Sequence, residues 1–405
     1  MLLHWIWFAQ CSHVSAHTKQ LLLQHFRDPE DIFYAQKEAF APISGMTEQA
    51  MESLMDKDLS QAKEILRDCS RKGIQVLTHQ DAQYPTRLRN IYDPPMVLYF
   101  KGILPDWDER PVIGIVGTRR ASAYGMNTAR QFGKQIAACG AMVVSGCASG
   151  IDGMAMEGAL ETDAPVIGIL GCGVDVVYPA KNRKLFSVLE TEGCLISEYP
   201  PGEQPLGWHF PERNRIITGI SNGLLVVEAP LRSGALISAR HAMEQGRDVF
   251  VVPGNVGVET CAGSNLLLEE QAIPALSGWH VVREYEGLYP DKVCKRDIPA
   301  GRERAADLVA QPVQIPLEKK PDQEVSDKKS IDKKDNSSYS VVNNQPADLQ
   351  TDEQRVLSHI GTIPCPVDDV IALTGLPAGT VKTILTKLTI KGFVRNHPGG
   401  RISRK

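Results

Sequence analysis

The sequence carries none of the spacings that announce a structural metal or a disulfide framework. Its nine cysteines are scattered and odd in number. None are paired as CxxC, a usage that points to reduced thiols and a cytoplasmic setting. Long apolar runs are missing as well: nothing approaches the roughly 18 consecutive apolar residues of a membrane span, so no membrane partner is expected. The start, MLLHWIWFAQCSHVSA, is apolar but has no basic leader and is broken by His4, Gln10 and His13. That predicts a buried first helix and not a signal peptide. Excess positive charge is absent too, since 44 Lys and Arg against 48 Asp and Glu leave a net charge of −4. A uniformly basic binder is excluded, while a local cationic groove remains open, because steering depends on how charge is distributed. Finally, no GxGxxG follows the first strong strand, and no acidic residue stands about 20 positions beyond it. A dinucleotide site needs both, so NAD is excluded and no cofactor is expected.

What is present is a βαβ unit over Pro111–Gly150. Val112–Val116 is an apolar, mostly β-branched run that stops at a turn containing Gly117, followed by Thr118, Arg119, Arg120 and Ser122. A helical pattern then places Phe132 and Ile136 on one face and closes at Gly140, and a second run, Met142–Val144, ends at Ser145-Gly146. Further candidate strands are Val166–Leu170, Leu195–Glu198, Leu224–Glu228 and Val249–Val252. Helical patterns alternate with them at Ile151–Leu160, Arg183–Glu192, Arg213–Ile220 and Ala235–Gln245. This alternation predicts an α/β fold, a doubly wound Rossmann-like parallel sheet.

The flanks read differently. Residues 1–80 form a mostly helical module, with a short strand from Gly73 to His79, and Tyr84–Phe100 reads as an extended, proline-broken connector. The sheet domain is expected over 81–290. Residues 291–350 are dominated by Lys, Asp, Ser, Asn and Gln, a flexible tether. The tail, 351–405, has helical patterns at Glu353–Ile360, Val367–Thr374 and Thr380–Ile390, with turns at Gly375 and Gly392. A hairpin around Pro398-Gly399-Gly400 completes a winged-helix pattern.

Strand-end loops of a parallel sheet lie along one edge, where ligands bind. Here they are Gly117–Gly125, Ser145–Asp152, Gly171–Asp175, Glu198–Gly202, Ala229–Gly234 and Pro253–Gly257. Arg119, Arg120, Lys181, Arg183, Lys184, Arg213, Arg215 and Arg232 fall in or near them. Guanidiniums and ammoniums beside N–H-rich loops suit successive phosphates, and Tyr124, Tyr178, Tyr199 and Phe210 are placed to stack on bases. Plainer roles compete: Ser122 and Asp152 as helix N-caps, Asp175 as a turn former, Arg213 and Arg215 as members of structural ion pairs. Cys147 and Cys172 border the loops without a visible partner base.

The blocks VGTRRASAYG, SGCASGIDGMA, GCGVDVVYPAKN, SEYPPGEQP, FPERNRIITGIS, VVEAPLRSGALISARHAMEQGRDVFVVPG and GSNLLLEEQA together resemble the DNA-processing protein A family (DprA, also called Smf). The resemblance implies an extended Rossmann-like domain that binds single-stranded DNA, dimerises and helps load the recombinase RecA during natural transformation. It implies a sterile-alpha-motif-like module over the first 80 or so residues and a winged-helix tail. By the same resemblance Gly117, Thr118 and Arg119 match the family's phosphate-gripping G-S-R segment, and FPERNR brings Arg213, Asn214 and Arg215 to that pocket. The expected DNA-binding set adds Arg120, Ser122, Gly146, Gly150 and Lys181. A single-strand-binding protein is a further expected partner. The chain departs from the family pattern at Thr118, where serine is commoner, and at Ala180, which follows Tyr178-Pro179 and moves the lysine to Lys181. It departs again at Gln271, in place of a glycine.

The expected mechanism is non-catalytic gripping of a strand by its backbone. Two rivals belong to other classes. A nucleoside-monophosphate phosphoribohydrolase-like enzyme would need a PGGxGTxxE loop, and Pro230-Leu-Arg-Ser-Gly-Ala-Leu-Ile-Ser lacks its glycine pair and glutamate. A duplex-binding winged-helix regulator would use Thr380, Lys382, Thr383 and Lys387 in a major groove, with Arg395 and Arg401 on the wing.

Overall fold

Short polar residues and glycines set where the N-terminal helices begin and end. The computed structural model describes residues 1–296, 351–361, 365–374, 376, 378–390, 393–397 and 401–404. From 297 onward the expected tether lies outside the described residues, as do the turn residues Gly375, Gly392 and 398–400. Helix α1 (Leu2–Gln10) buries Trp5, Ile6, Trp7 and Phe8, as its apolar sequence requires. Ser15 caps α2 (Ala16–His25) by accepting the Thr18 N–H, and Asp28 caps α3 (Pro29–Tyr34). The proline at the start of α3 costs nothing, because that N–H has no helical partner. Helices α4 (Glu48–Met55) and α5 (Ser60–Lys72) follow, and α5 stops at Gly73, whose φ of +63° is left-handed.

The chain then builds a nine-stranded sheet. In chain order it runs β1 (Gln75–Thr78), α6 (Thr86–Arg89), β2 (Val97–Gly102), β3 (Val112–Val116), α7 (Ala123–Ala138), β4 (Met142–Ser145), α8 (Ile151–Ala159) and β5 (Val166–Leu170). It continues with α9 (Arg183–Glu192), β6 (Cys194–Ser197), α10 (His209–Ile220), β7 (Gly223–Val226), α11 (Gly234–Glu244), β8 (Asp248–Val251), α12 (Ala262–Glu269), β9 (Ile273–Pro274) and α13 (Gly278–Val282). The spatial order is β1-β2-β6-β5-β4-β3-β7-β8-β9. From β6 to β9 every pairing is parallel. The doubly wound sheet expected from the alternation is present. The connector expected over Tyr84–Phe100 is corrected: it contains α6 and the strand β2, antiparallel to both β1 and β6. Val97–Phe100 is a buried apolar run, and Pro94-Pro95 stands just ahead of it, where a missing N–H removes no ladder bond.

Winding starts at β3 in mid-sheet and moves outward to β6; α10 then returns the chain to the other side of β3, where β7 pairs with it. The crevice at the carboxyl ends of β3 and β7 is therefore the topological switch point. One apolar core joins the N-terminal helices to one face of the sheet and includes Trp5, Phe8, Tyr99, Ile113 and Ile136. A second, with Leu88, Val112, Ile216, Ile220 and Ala239, covers the other face.

By contacts the chain divides into two compact units at Gln314/Ile315. The C-terminal unit has α14 (Thr351–Ser358), β10 (Cys365–Pro366), α15 (Val367–Thr374), α16 (Ala378–Ile390), β11 (Val394–His397) and β12 (Arg401–Arg404). Its strands order as β10-β12-β11 around a core that includes Val356, Val370, Val381, Leu388 and Ile402. Helices followed by a hairpin make the expected winged helix; β10, which pairs with the hairpin, was not legible in the sequence.

Candidate nucleic-acid interface

The loop after β3 is held from both ends. Thr118 donates its N–H to the Glu228 carbonyl (2.7 Å), its Oγ1 accepts from Arg120 N (3.2 Å), and its carbonyl accepts from Ile151 N (3.3 Å). Ser122 caps α7: its Oγ accepts from Gly125 N (2.9 Å) and donates to a Glu228 carboxylate oxygen (2.6 Å). The Ser122 N–H donates to the other oxygen (2.9 Å). Between these anchors Arg119 and Arg120 are exposed. The loop after β4 approaches closely. Gly150 has φ +79°, and a Cβ there would sit 2.4 Å from the Thr118 carbonyl oxygen. At Gly146 a Cβ would sit 2.4 Å from the Arg213 guanidinium, and at Gly117 the same distance from Ile151. These positions need glycine because backbone or packed side chain occupies the space.

The first turns of α10 supply the third wall. Arg213 is 3% exposed. Its Nη1 donates to the carbonyls of Gly146 (2.9 Å) and Ile169, and its Nε to Asn214 Oδ1 (3.3 Å). Burial lowers the Arg213 pKa, and the nearby Asp152 opposes that shift. Asp152, also buried, has its pKa raised by desolvation, against the pull of Arg213 and of the Gly146 N–H that it accepts at 3.1 Å.

Together these residues line a cavity of about 420 Å³ at the switch point, with Gly117, Thr118, Arg119, Arg120, Phe210, Arg213, Asn214 and Arg232 in its wall. Four arginines are among its lining residues, and Asp152 is the carboxylate among the described ones. The Arg119 guanidinium lies over the Phe210 ring, whose centroid is 5.4 Å from that of Tyr178. Cations with a ring in one concavity, and a second ring packed beside it, suit a phosphate chain bearing stackable bases.

The structure does not bring every expected residue here. Arg215 is corrected: it lines a separate cavity of about 670 Å³, where Nε donates to Asp93 and Nη2 to both Glu198 oxygens, each at 2.9 Å. Burial disfavours its charge, but Glu198 and Asp93 outweigh this and raise its pKa. The reason is helical spacing, since residues two apart on α10 face opposite ways. Ser122 spends its hydroxyl and N–H on the cap and on Glu228. Gly146 and Gly150 shape the loops, with Gly146 using both N–H and carbonyl internally. Lys181 is exposed in a 3-10 turn outside the cavity wall. Of the expected rings, Tyr199 stacks on His209 (3.9 Å) beside the second cavity, and Tyr124 is 60% exposed. Desolvation raises both thiols, Cys147 being fully buried and Cys172 pushed up to about 11, so neither is poised as a nucleophile. In the winged helix Thr380, Lys387 and Arg395 are exposed, while the side chains of Lys382 and Arg401 lie outside the described residues.

Sequence reasoning missed Glu228, which is 2% exposed and also accepts from Thr260 Oγ1 (3.2 Å). An acidic residue ending a strand carries no such signal on its own. The placement of Arg215 did carry one, in the helical period of FPERNR.

Fold and cavity define an α/β protein of the doubly wound class, with a cationic strand-end cavity and a winged helix in the same chain. Residues 75–286 match the family described as DNA recombination-mediator protein A, and residues 343–400 match the DprA winged helix domain. The chain is 31% identical to Protein Smf of Synechocystis sp. across 99% of its own length and 98% of that protein. It is 34% identical to Protein Smf of Escherichia coli, across 79% of this chain and 74% of that one. The X-ray structure of DNA processing protein A (DprA) from Streptococcus pneumoniae superposes with a TM-score of 0.62 at 32% identity, covering 70% of this chain and 98% of that one. The chain belongs to the DNA recombination-mediator protein A family, DprA/Smf.

Proposed function

We propose that the switch-point cavity grips the backbone of single-stranded DNA without catalysis. The observation that carries this reading is the set Arg119, Arg120, Arg213 and Arg232 around one concavity, with Arg119 laid over Phe210. Phosphates meet guanidiniums, and bases meet Phe210 and Tyr178, so sequence is largely unread. A flexible strand can follow such a concave wall; a stiff duplex fits it poorly. Dimerisation would place two cavities in one particle and raise affinity through effective concentration.

In the same reading the chain works in the cytoplasm, hands bound DNA to RecA beside a single-strand-binding protein, and serves natural transformation. Its parts are a helical module over 1–80, the DNA-binding domain over 81–290, a tether over 291–350 and the winged helix over 351–405. Family membership supports the recombination-mediator role. The deciding experiment compares single-stranded and duplex oligonucleotides of matched length at several salt concentrations. Preference for the single strand with a steep salt slope is expected; equal or stronger duplex binding would reject the assignment.

A further inference from the structure

The loop bearing Arg119 and Arg120 is tied down at both ends by one residue from the far side of the switch point. Glu228 stands just beyond β7, across the switch point from the loop. Its carbonyl takes the Thr118 N–H at 2.7 Å, and its carboxylate takes the Ser122 N–H at 2.9 Å and the Ser122 hydroxyl at 2.6 Å. The span 118–122 is thus a short bridge whose two abutments belong to Glu228. The carboxylate fits its hollow closely, since a Cβ on Gly125 would lie 2.2 Å from it.

The charge is held in an unusual way. Among the described residues no Lys, Arg or His forms an ion pair with Glu228. Its partners are neutral donors at the N-terminus of the 16-residue helix α7, together with Thr260 and the Cys261 thiol. A helix N-terminus favours a carboxylate, and hydrogen bonds to a charged acceptor are about twice as strong as neutral ones. Leaving Arg119 and Arg120 unpaired by this anion keeps them available to a ligand, while the anion fixes the backbone that carries them.

We propose that Glu228 is the positioning residue of the DNA-gripping loop. It touches no ligand itself and sets where Arg119 and Arg120 present their guanidiniums, an inference that rests on the cavity being the single-strand site. Through Thr260 the same carboxylate also ties this loop to the neighbouring turn after β8.

The test uses full-length protein and the substitution Glu228→Gln, which keeps the shape and removes the charge. Amide hydrogen exchange across 118–125, read without DNA, should quicken about tenfold while the central strands exchange as before. Affinity for a labelled oligothymidylate should fall about tenfold with a shallower salt slope. Ser122→Ala, a milder variant if Glu228→Gln folds poorly, should move both readings the same way, and adding Glu228→Gln to it should cost less than the sum of the two. Unchanged exchange at 118–125 overturns the inference, as does faster exchange with unaltered DNA affinity. If the function reading itself is wrong, the unsubstituted protein will show no preference for single strands, a result separate from both.

Discussion

The Arg119 guanidinium carbon lies 4.8 Å from the centre of the Phe210 ring. A cation over a ring face is oriented without being neutralised. Among the described residues Arg119 has no carboxylate within ion-pair distance, so its charge stays available. Phe210 therefore acts as a rest that keeps a long, mobile side chain aimed into the cavity.

Arg119→Ala should weaken single-strand binding by at least about tenfold and reduce the salt slope by about one. Phe210→Leu should cost less, about three- to fivefold, since it removes a stacking face and frees Arg119 without removing charge. Fluorescence anisotropy at several salt concentrations reads both effects. A Phe210→Leu protein that binds as tightly as the parent would show that the ring does not orient Arg119.

Arg213 and Arg215 should separate binding from stability. Arg213→Ala leaves the Gly146 and Ile169 carbonyls without their donor and the buried Asp152 without a nearby positive charge, so it should lower unfolding free energy by about 2–4 kcal/mol and abolish most DNA binding. Arg215→Ala should cost about 2 kcal/mol, less than a fully enclosed pair, because Glu198 and Asp93 keep contact with water. Affinity of the folded Arg215→Ala protein should stay within about twofold of the parent. Urea titrations paired with binding assays check the contrast, and a large loss of DNA affinity in Arg215→Ala would return that residue to the site.

His79 gives a pH signature. Burial, and after it the Arg89 guanidinium, holds its pKa down to about 4, against about 6.5 in an unfolded chain. Between those values the unfolded chain takes up a proton that the folded one refuses. Stability from this group is complete above pH of about 6.5 and is lost as pH falls towards 4. His79→Gln should therefore show a shallower decline of the urea midpoint over that window than the parent. Parallel curves would place the titration elsewhere.

Exposed winged-helix cations should matter little for single strands. Reversing Lys387 and Arg395 to glutamate in the full chain is expected to change oligothymidylate affinity by less than about twofold. A tenfold loss, measured by the same anisotropy assay, would bring the tail into the single-strand site.

The strands from β3 to β8 were legible because buried parallel strands are short apolar, β-branched runs bounded by glycine turns, a local signal. Thr118, Arg119 and Arg120 were legible for the same reason, since they follow the first such run directly. Strand β2 was masked by the prolines ahead of it, although Pro94-Pro95 lies outside the hydrogen-bonded ladder. Ser122 reads from sequence as a cap and as a ligand group, and the Glu228 carboxylate that its hydroxyl meets lies 106 residues away. Such pairing depends on which strands become neighbours at the switch point, and no window of sequence contains that.

The close approach of Gly150 to Thr118 also works as a filter on relatives. A methyl group at position 150 would collide with backbone, which cannot rotate aside as a side chain can. Any homologue that carries alanine or a larger residue there must have parted the two loops, and with them the walls that Arg119 and Arg213 share. That one position therefore sorts chains that keep this cradle from chains that have only inherited the sheet beneath it.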